Sequence, residues 1–433
     1  MSINKIPPET LALIATFLNP GRQLIDATAV CQHWRATLLS SPRLWNRISC
    51  STGDMFETYL KRSKSVPLKV QLHDTSLRLL ESLTPHISRL SSLTLVRVSF
   101  GASFDFEPLT HHLGNPIPTL NEFGIISQFG MDGLTLPSGV KNDHFLHVKK
   151  LRLVQVPFFR APHVFPQVTE LMWETWPLNS MPLPSLVETL VELPTLERVQ
   201  IVFSGFSRTT ITPTHWVTLP NVQRMSLRSS WGDIPNLLEF LKLPSLTSLV
   251  VSGVLDTQGP FDILPVTHFS ENIPNLAELP EMEVTMDRHR NRVWFRSASQ
   301  ATLDYYIRPR PLGRGPRGHY RKFWDGIPVD SIRKVFVEIE TTDGDDEWVV
   351  NLLRGLGSLE HLEFCSRCGR TPQHLRQMII EGVPFPEMES LAVYLGSDCE
   401  ADRVCRWKDV VDGLDTGISV AWVNDSWISD EEE

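Results

Sequence analysis

Two apolar patterns divide this 433-residue chain. Near its start, Leu11, Ile14 and Leu18 recur at i, i+3 and i+7, with Leu13 and Phe17 four apart beside them. That spacing gives a short helix a broad apolar face. Ile6-Pro7-Pro8-Glu9 leads into it. Proline in the first turn forfeits no hydrogen bond, and Glu9 suits the positive end of the helix dipole. Asn19-Pro20-Gly21 ends the run. Leu24, Ala27, Cys31 and Leu38, with Val30 and Trp34 alongside, repeat the helical period until Pro42 interrupts it. Three short helices with this much apolar surface make a domain too small to bury it all, so some of these side chains are expected to await a partner.

From Pro67 a second pattern takes over. The phrase apolar-x-x-apolar-x-apolar begins at Leu90, Leu120, Val148, Val168, Leu196, Val222 and Leu246, and again at Ile332, Leu359 and Met388. Leu68–Leu72 reads as a first member, and Leu276-x-x-Leu279 as a broken one, because Glu281 stands at its third apolar place. Most start-to-start spacings lie between 20 and 30 residues. Repetition at this length predicts stacked supersecondary units, each burying an apolar face against the next. Leu186–Leu193, Ile234–Leu243, Trp348–Leu356 and Leu375–Ile380 carry helical spacing and are expected to cross over between parallel strands. If the first, fourth and sixth places point inward, the third and fifth line an outer face. Lys150, Arg152, Arg198, Arg224 and Arg228 fall there. They form either a docking strip for an acidic or phosphorylated segment or an ordinary solvated row.

Three short motifs carry a family resemblance. Ile6-Pro7-x-Glu9-x-Leu11, Val30-Cys31-x-x-Trp34-Arg35 and Ser41-Pro42-x-Leu44-Trp45 together resemble an F-box. In that family a small helical domain docks on the Skp-type adaptor of a cullin–RING ubiquitin ligase while the rest of the chain captures a target. The resemblance implies that Ile6, Pro7, Glu9, Leu11, Ile14, Leu18, Val30, Cys31, Trp34 and Trp45 include the adaptor contacts, although several can equally fill the domain's own core. The later phrase resembles a degenerate, F-box-associated leucine-rich repeat, without the usual Asn after the strand. The expected fold is therefore an all-α three-helix F-box followed by a leucine-rich-repeat-like α/β solenoid with a parallel sheet. Its expected divisions are an F-box-like domain at 3–48, a connector at 49–66 and a solenoid at 67–397. An irregular basic insertion is expected at about 286–325, and an acidic cap and tail at 398–433.

Composition narrows the chemistry. Apolar content of 41% and charged content of 21% suit a folded chain. A net charge of −9 argues against nucleic acid or an anionic membrane as the bulk partner. Six cysteines are too few for a disulfide scaffold, which points to an intracellular protein of the cytoplasm or nucleus. Pro7, Pro8 and Glu9 stand where a signal peptide would begin its apolar core, and no run of ~18 apolar residues offers a membrane span. Between Met286 and Asp325 basic residues mix with Tyr305, Tyr306, Tyr320, Phe323 and Trp324, a composition open to single-stranded nucleic acid but also to a solvated loop. Gly313-Arg314-Gly315-Pro316-Arg317-Gly318 copies a dinucleotide fingerprint by letter only, since no strand and helix flank it. Cys365 and Cys368, with Cys399, Cys405 or His374, admit a zinc site or simple reduced thiols. No catalytic constellation and no cofactor motif appears, so the expected role is non-enzymatic: substrate recognition within a ligase, or alternatively a protein-interaction scaffold with no ligase.

Overall fold

The computed structural model describes residues 6–18, 22–50, 53–73, 77–97, 117–127, 134–135, 145–156, 159–160, 164–175, 183–203, 217–230, 233–254, 269–276, 281–286, 291–296, 302–308, 331–339, 353, 355–366, 388–395 and 419–424. The chain divides into two compact units, Met1–Thr209 and Thr210–Glu433.

The first unit opens with α1 (Pro8–Ala15), α2 (Arg22–Thr28) and α3 (Gln32–Ser40). Pro8 occupies the first turn of α1 and Glu9 lies beside it. Cys31 caps α3, its Sγ accepting the Trp34 backbone N–H at 3.5 Å. α3 packs against both other helices, and Leu11, Ala15, Leu24, Ala27 and Leu38 close the small core. A 3-10 turn, Pro42–Trp45, hands the chain to β1 (Arg47–Cys50).

Secondary structure continues through the end of the helical head. Residues 47–50 form the first strand of a sheet, and α4 (Gly53–Arg62) buries Phe56, Tyr59 and Leu60 behind it. Residues 49–50 and 53–62 thus belong to packed elements, and Ile48 and Cys50 of Trp45-x-x-Ile48-x-Cys50 align with Val70 and Leu72 of the repeated phrase. β2 (Leu68–His73), β3 (Leu90–Arg97), β4 (Glu122–Ser127), β5 (Lys150–Val154), β6 (Glu170–Glu174) and β7 (Arg198–Val202) follow, each parallel to the one before. Ile48, Val70, Leu93, Phe123, Leu151, Leu171 and Val199 stand in register across them, all buried. Of the crossovers, α5 (Leu77–Leu83) and α6 (Leu183–Val191) are helical.

A turn recurs before the strands. In Ile117-Pro118-Thr119-Leu120, Phe165-Pro166-Gln167-Val168 and Leu193-Pro194-Thr195-Leu196, the last N–H returns to the first carbonyl at 3.1–3.3 Å. Proline presets φ at the second place of such a turn, and the apolar first residue is buried each time. Hydroxyls link the successive turns. Thr119 donates to the Leu90 carbonyl, Ser91 to Leu68 and Thr195 to Val168, at 2.8–2.9 Å, which ties each repeat to its predecessor.

The second unit repeats the arrangement with one change. β8 (Arg224–Ser230), α7 (Asp233–Glu239) and β9 (Ser248–Val254) continue the parallel pattern. Then β10 (Glu281–Met286), β11 (Asn291–Arg296) and β12 (Thr302–Arg308) run as an antiparallel meander. β12 returns to pair with β9, while β10 pairs with β13 (Lys334–Ile339). β14 (His361–Ser366), β15 (Ser390–Leu395) and β16 (Ser419–Asn424) complete the order in parallel.

Three expectations change as a result. The basic insertion is strand over 291–296 and 302–308, because Val293, Trp294, Phe295, Leu303, Tyr305 and Ile307 outweigh the arginines around them in β preference. The broken phrase at Leu276 does not hold its register: Met282 and Val284 are the residues aligned with Val335 and Val337. The acidic end is not wholly a cap, since residues 419–424 add a strand with Trp422 opposite Val393. Gly313–Gly318, Tyr320, Phe323, Trp324, Leu375–Ile380, Trp407 and Trp427 lie outside the described residues.

Candidate adaptor face and strand face

The helical head separates its apolar residues into two sets. Leu11, Ala15, Leu24 and Leu38 face inward, and Trp45 lies beneath them, its Nε1–H donating to the Leu38 carbonyl at 2.9 Å. Leu13, Ile14, Phe17 and Val30 face water, with exposures of 62%, 42%, 84% and 56%. Leu13 and Phe17 stand one helical turn apart, so α1 is apolar on both of its sides. Apolar exposure clustered in a domain whose core is complete without it marks an interaction surface.

Placement of the expected adaptor residues is mixed. Pro7, Glu9, Ile14 and Val30 are exposed, and Ile6, Leu18, Cys31 and Trp34 are half-buried. Leu11 and Trp45 are 0% exposed and take the core-filling alternative that the sequence leaves open for them. They hold the domain together, and a partner cannot reach them without unfolding it. Cys31 serves α3 as its cap. His33 Nε2–H donates to the Ile6 carbonyl at 3.0 Å, pinning the approach to α1. Trp34 keeps its indole Nε1–H shielded from water with no acceptor among the described residues. Leu13 and Phe17 were missing from the expected set. Their i, i+4 spacing was visible, but nothing in it told which apolar side stays uncovered.

On the strand face of the first unit, Lys150, Arg152 and Arg198 are exposed and alternate with buried neighbours. Glu170, between Lys150 and Arg198 in strand register, binds both. Lys150 Nζ lies 3.1 Å from one carboxylate oxygen, and Arg198 donates to the other. Arg152 makes no ion pair among the described residues. The positive row expected here is therefore partly neutralised from within. Arg224 and Arg228 are exposed on β8 of the second unit, where Lys334 pairs with Glu363 at 2.8 Å and Arg333 with Glu360.

Burial alone would raise the Glu170 carboxyl, but the hydrogen bonds from Arg198 and Lys150 outweigh it and hold it below the usual carboxylate value. A lowered folded-state value stabilises the protein above the unfolded value and ceases to do so as pH falls through the folded one. Glu170→Gln is expected to cost about 0.5–1 kcal/mol near neutrality, a modest figure because the partners are half exposed. Urea denaturation should show that difference shrinking as pH falls through the lowered folded-state value and vanishing below it. A gap that persists in acid would assign the effect to packing.

Among the described residues no group of three or more His, Cys, Asp or Glu could hold a metal ion. Cys365 lies in β14, while Cys368, His374, Cys399 and Cys405 lie outside the described residues. No described helix is long and apolar enough to cross a membrane.

Comparison with known families matches residues 3–51 to the F-box-like family. That segment spans α1 to α3, the 3-10 turn and β1, so the chain carries an F-box-like domain at its head. Domains of this kind typically bind Skp-type adaptors. No curated protein matches the chain.

Proposed function

We propose that the chain is the substrate-recognition subunit of an SCF-type cullin–RING ubiquitin ligase, the head holding the Skp-type adaptor and the stranded body capturing a protein target. The observation that carries this reading is the exposure of Leu13, Ile14, Phe17 and Val30 on an F-box-like domain whose interior is already filled. We read the body as a degenerate leucine-rich repeat, supported by parallel strands spaced at repeat length, buried fourth-place residues and turns that recur before the strands. The chain supplies geometry and no chemistry: conjugation takes place on other subunits, in the cytoplasm or nucleus.

Co-purification of the full chain with recombinant Skp-type adaptor tests the reading. Exposed apolar anchors at an interface contribute roughly 2–4 kcal/mol each. The pair Ile14→Asp and Phe17→Asp is expected to weaken adaptor binding at least ~30-fold, because the cost of burying even one of these carboxylates exceeds the anchor's own share. Its thermal unfolding should match the wild type, since neither side chain supports the core. Equal adaptor recovery from wild type and variant would overturn the assignment.

A further inference from the structure

The outward row of the first unit begins with two cations in direct register, Arg47 on β1 and Lys69 on β2, followed by Ser92. Lys150 and Arg198 share a carboxylate, but these two make no ion pair among the described residues. Both are exposed, as is Arg43 in the preceding 3-10 turn. All three line one pocket where the helical head meets the first two strands. Leu18, Leu24 and Leu44 also line it, the first half-buried and the others buried. An apolar floor with an uncompensated cationic rim, on a chain of net charge −9, is a defined recognition chemistry.

Like charges side by side in a parallel register destabilise one another, so this rim is relieved by any anion that settles on it. The floor adds a second requirement. A free anion or a nucleic-acid backbone satisfies the cations and makes no use of the apolar floor, and among the described residues no aromatic side chain lines the pocket to stack a base. An occupant that uses both parts carries carboxylates around an apolar side chain.

We propose that this pocket docks an acidic peptide segment of a partner protein, seating one large apolar side chain on Leu18, Leu24 and Leu44 and its carboxylates on Arg43, Arg47 and Lys69. The inference deepens the substrate-recognition reading by naming the class of segment captured, and it relocates the docking charge from the Lys150–Arg198 row to the junction beside the head. It rests on that reading only for its biological use, because the binding is measured without adaptor.

The test is fluorescence anisotropy of the full chain with a dye-labelled peptide in which one Leu is flanked on both sides by Glu. Replacing the peptide's Glu by Gln, or its Leu by Ala, is expected to weaken binding about tenfold each. Raising salt from about 0.05 M to about 0.5 M should weaken the Glu peptide and leave the Gln peptide unchanged. Lys69→Gln and Arg43→Gln should each lower affinity severalfold, while Arg152→Ala retains it. Failure of the wild type to prefer Glu over Gln peptide, or an Arg152→Ala loss equal to that of Lys69→Gln, overturns the proposal. Adaptor capture by the same variants reports on their folding, so a failed peptide experiment with intact capture rejects this site and leaves the adaptor reading standing.

Discussion

Trp45→Ala is expected to lower the stability of the first unit by about 3–5 kcal/mol. The indole is 0% exposed, and its Nε1–H donates to the Leu38 carbonyl at the end of α3. Its ring meets the edge of Tyr59 with centroids 5.0 Å apart, and the Arg62 guanidinium lies 4.4 Å from its centroid on α4. One side chain therefore joins α3, the 3-10 turn and α4, the three elements by which the head is seated on the strands. Truncation opens a cavity and removes one of the two hydrogen bonds to the Leu38 carbonyl, which keeps the Ser41 N–H. Trp45→Phe separates the two losses: it keeps most of the packing and leaves the carbonyl with the Ser41 N–H as its remaining donor, at about 0.5–1.5 kcal/mol. Urea denaturation of the three proteins measures both steps. A cost below ~1 kcal/mol for Trp45→Ala would mean that the head and the strands do not depend on each other through this residue.

That dependence was hidden in the sequence by an overlap. Ser41-Pro42-x-Leu44-Trp45 reads as the end of an F-box motif, while Trp45-x-x-Ile48-x-Cys50 reads as the start of the strand phrase. The two readings share Trp45, so the strand phrase begins before the helical motif has ended. Elsewhere the helical spacing of Leu11 to Leu18 and the strand phrase from Leu90 to Val251 were enough to place α1 and the parallel strands within a residue or two, because a buried face imposes its period directly. Side-chain roles were harder to read. Leu11 and Ile14 differ by three positions on one apolar helix, yet one is interior and the other open to water. Only the packing of α3 against α1 decides between them.

Register was the other hidden quantity. Lys150, Glu170 and Arg198 are separated by 20 and 28 residues, and the ion pairs among them exist only once the strands are aligned. The meander at 281–308 was obscured by charge. Arginines drew the eye to solvent, although the residues between them alternate as strands do, and an exposed strand face tolerates arginine readily.

Phe165→Ala is expected to cost a further ~3–5 kcal/mol in the same unit, and to do so locally. Phe165 is fully buried in the turn before β6, and Phe145 holds the corresponding place before β5. Their rings stack with centroids 5.0 Å apart, and both meet Phe123 of β4, at 5.7 and 4.8 Å. Three successive repeats are thus joined through aromatic faces, each pair adding about 0.5–1.5 kcal/mol beyond its buried area. Phe165→Leu, which restores much of the volume without the ring, should recover more than half of the loss. Because each strand in this sheet pairs only with its neighbours in the order, the damage should be felt first in β4, β5 and β6. Hydrogen exchange resolves this: amides of residues 122–127, 150–154 and 170–174 are expected to lose protection while those of α3 keep theirs. Equal loss in α3 would show the head and the repeats opening as one cooperative block, and would make the aromatic stack a global support in place of a local one.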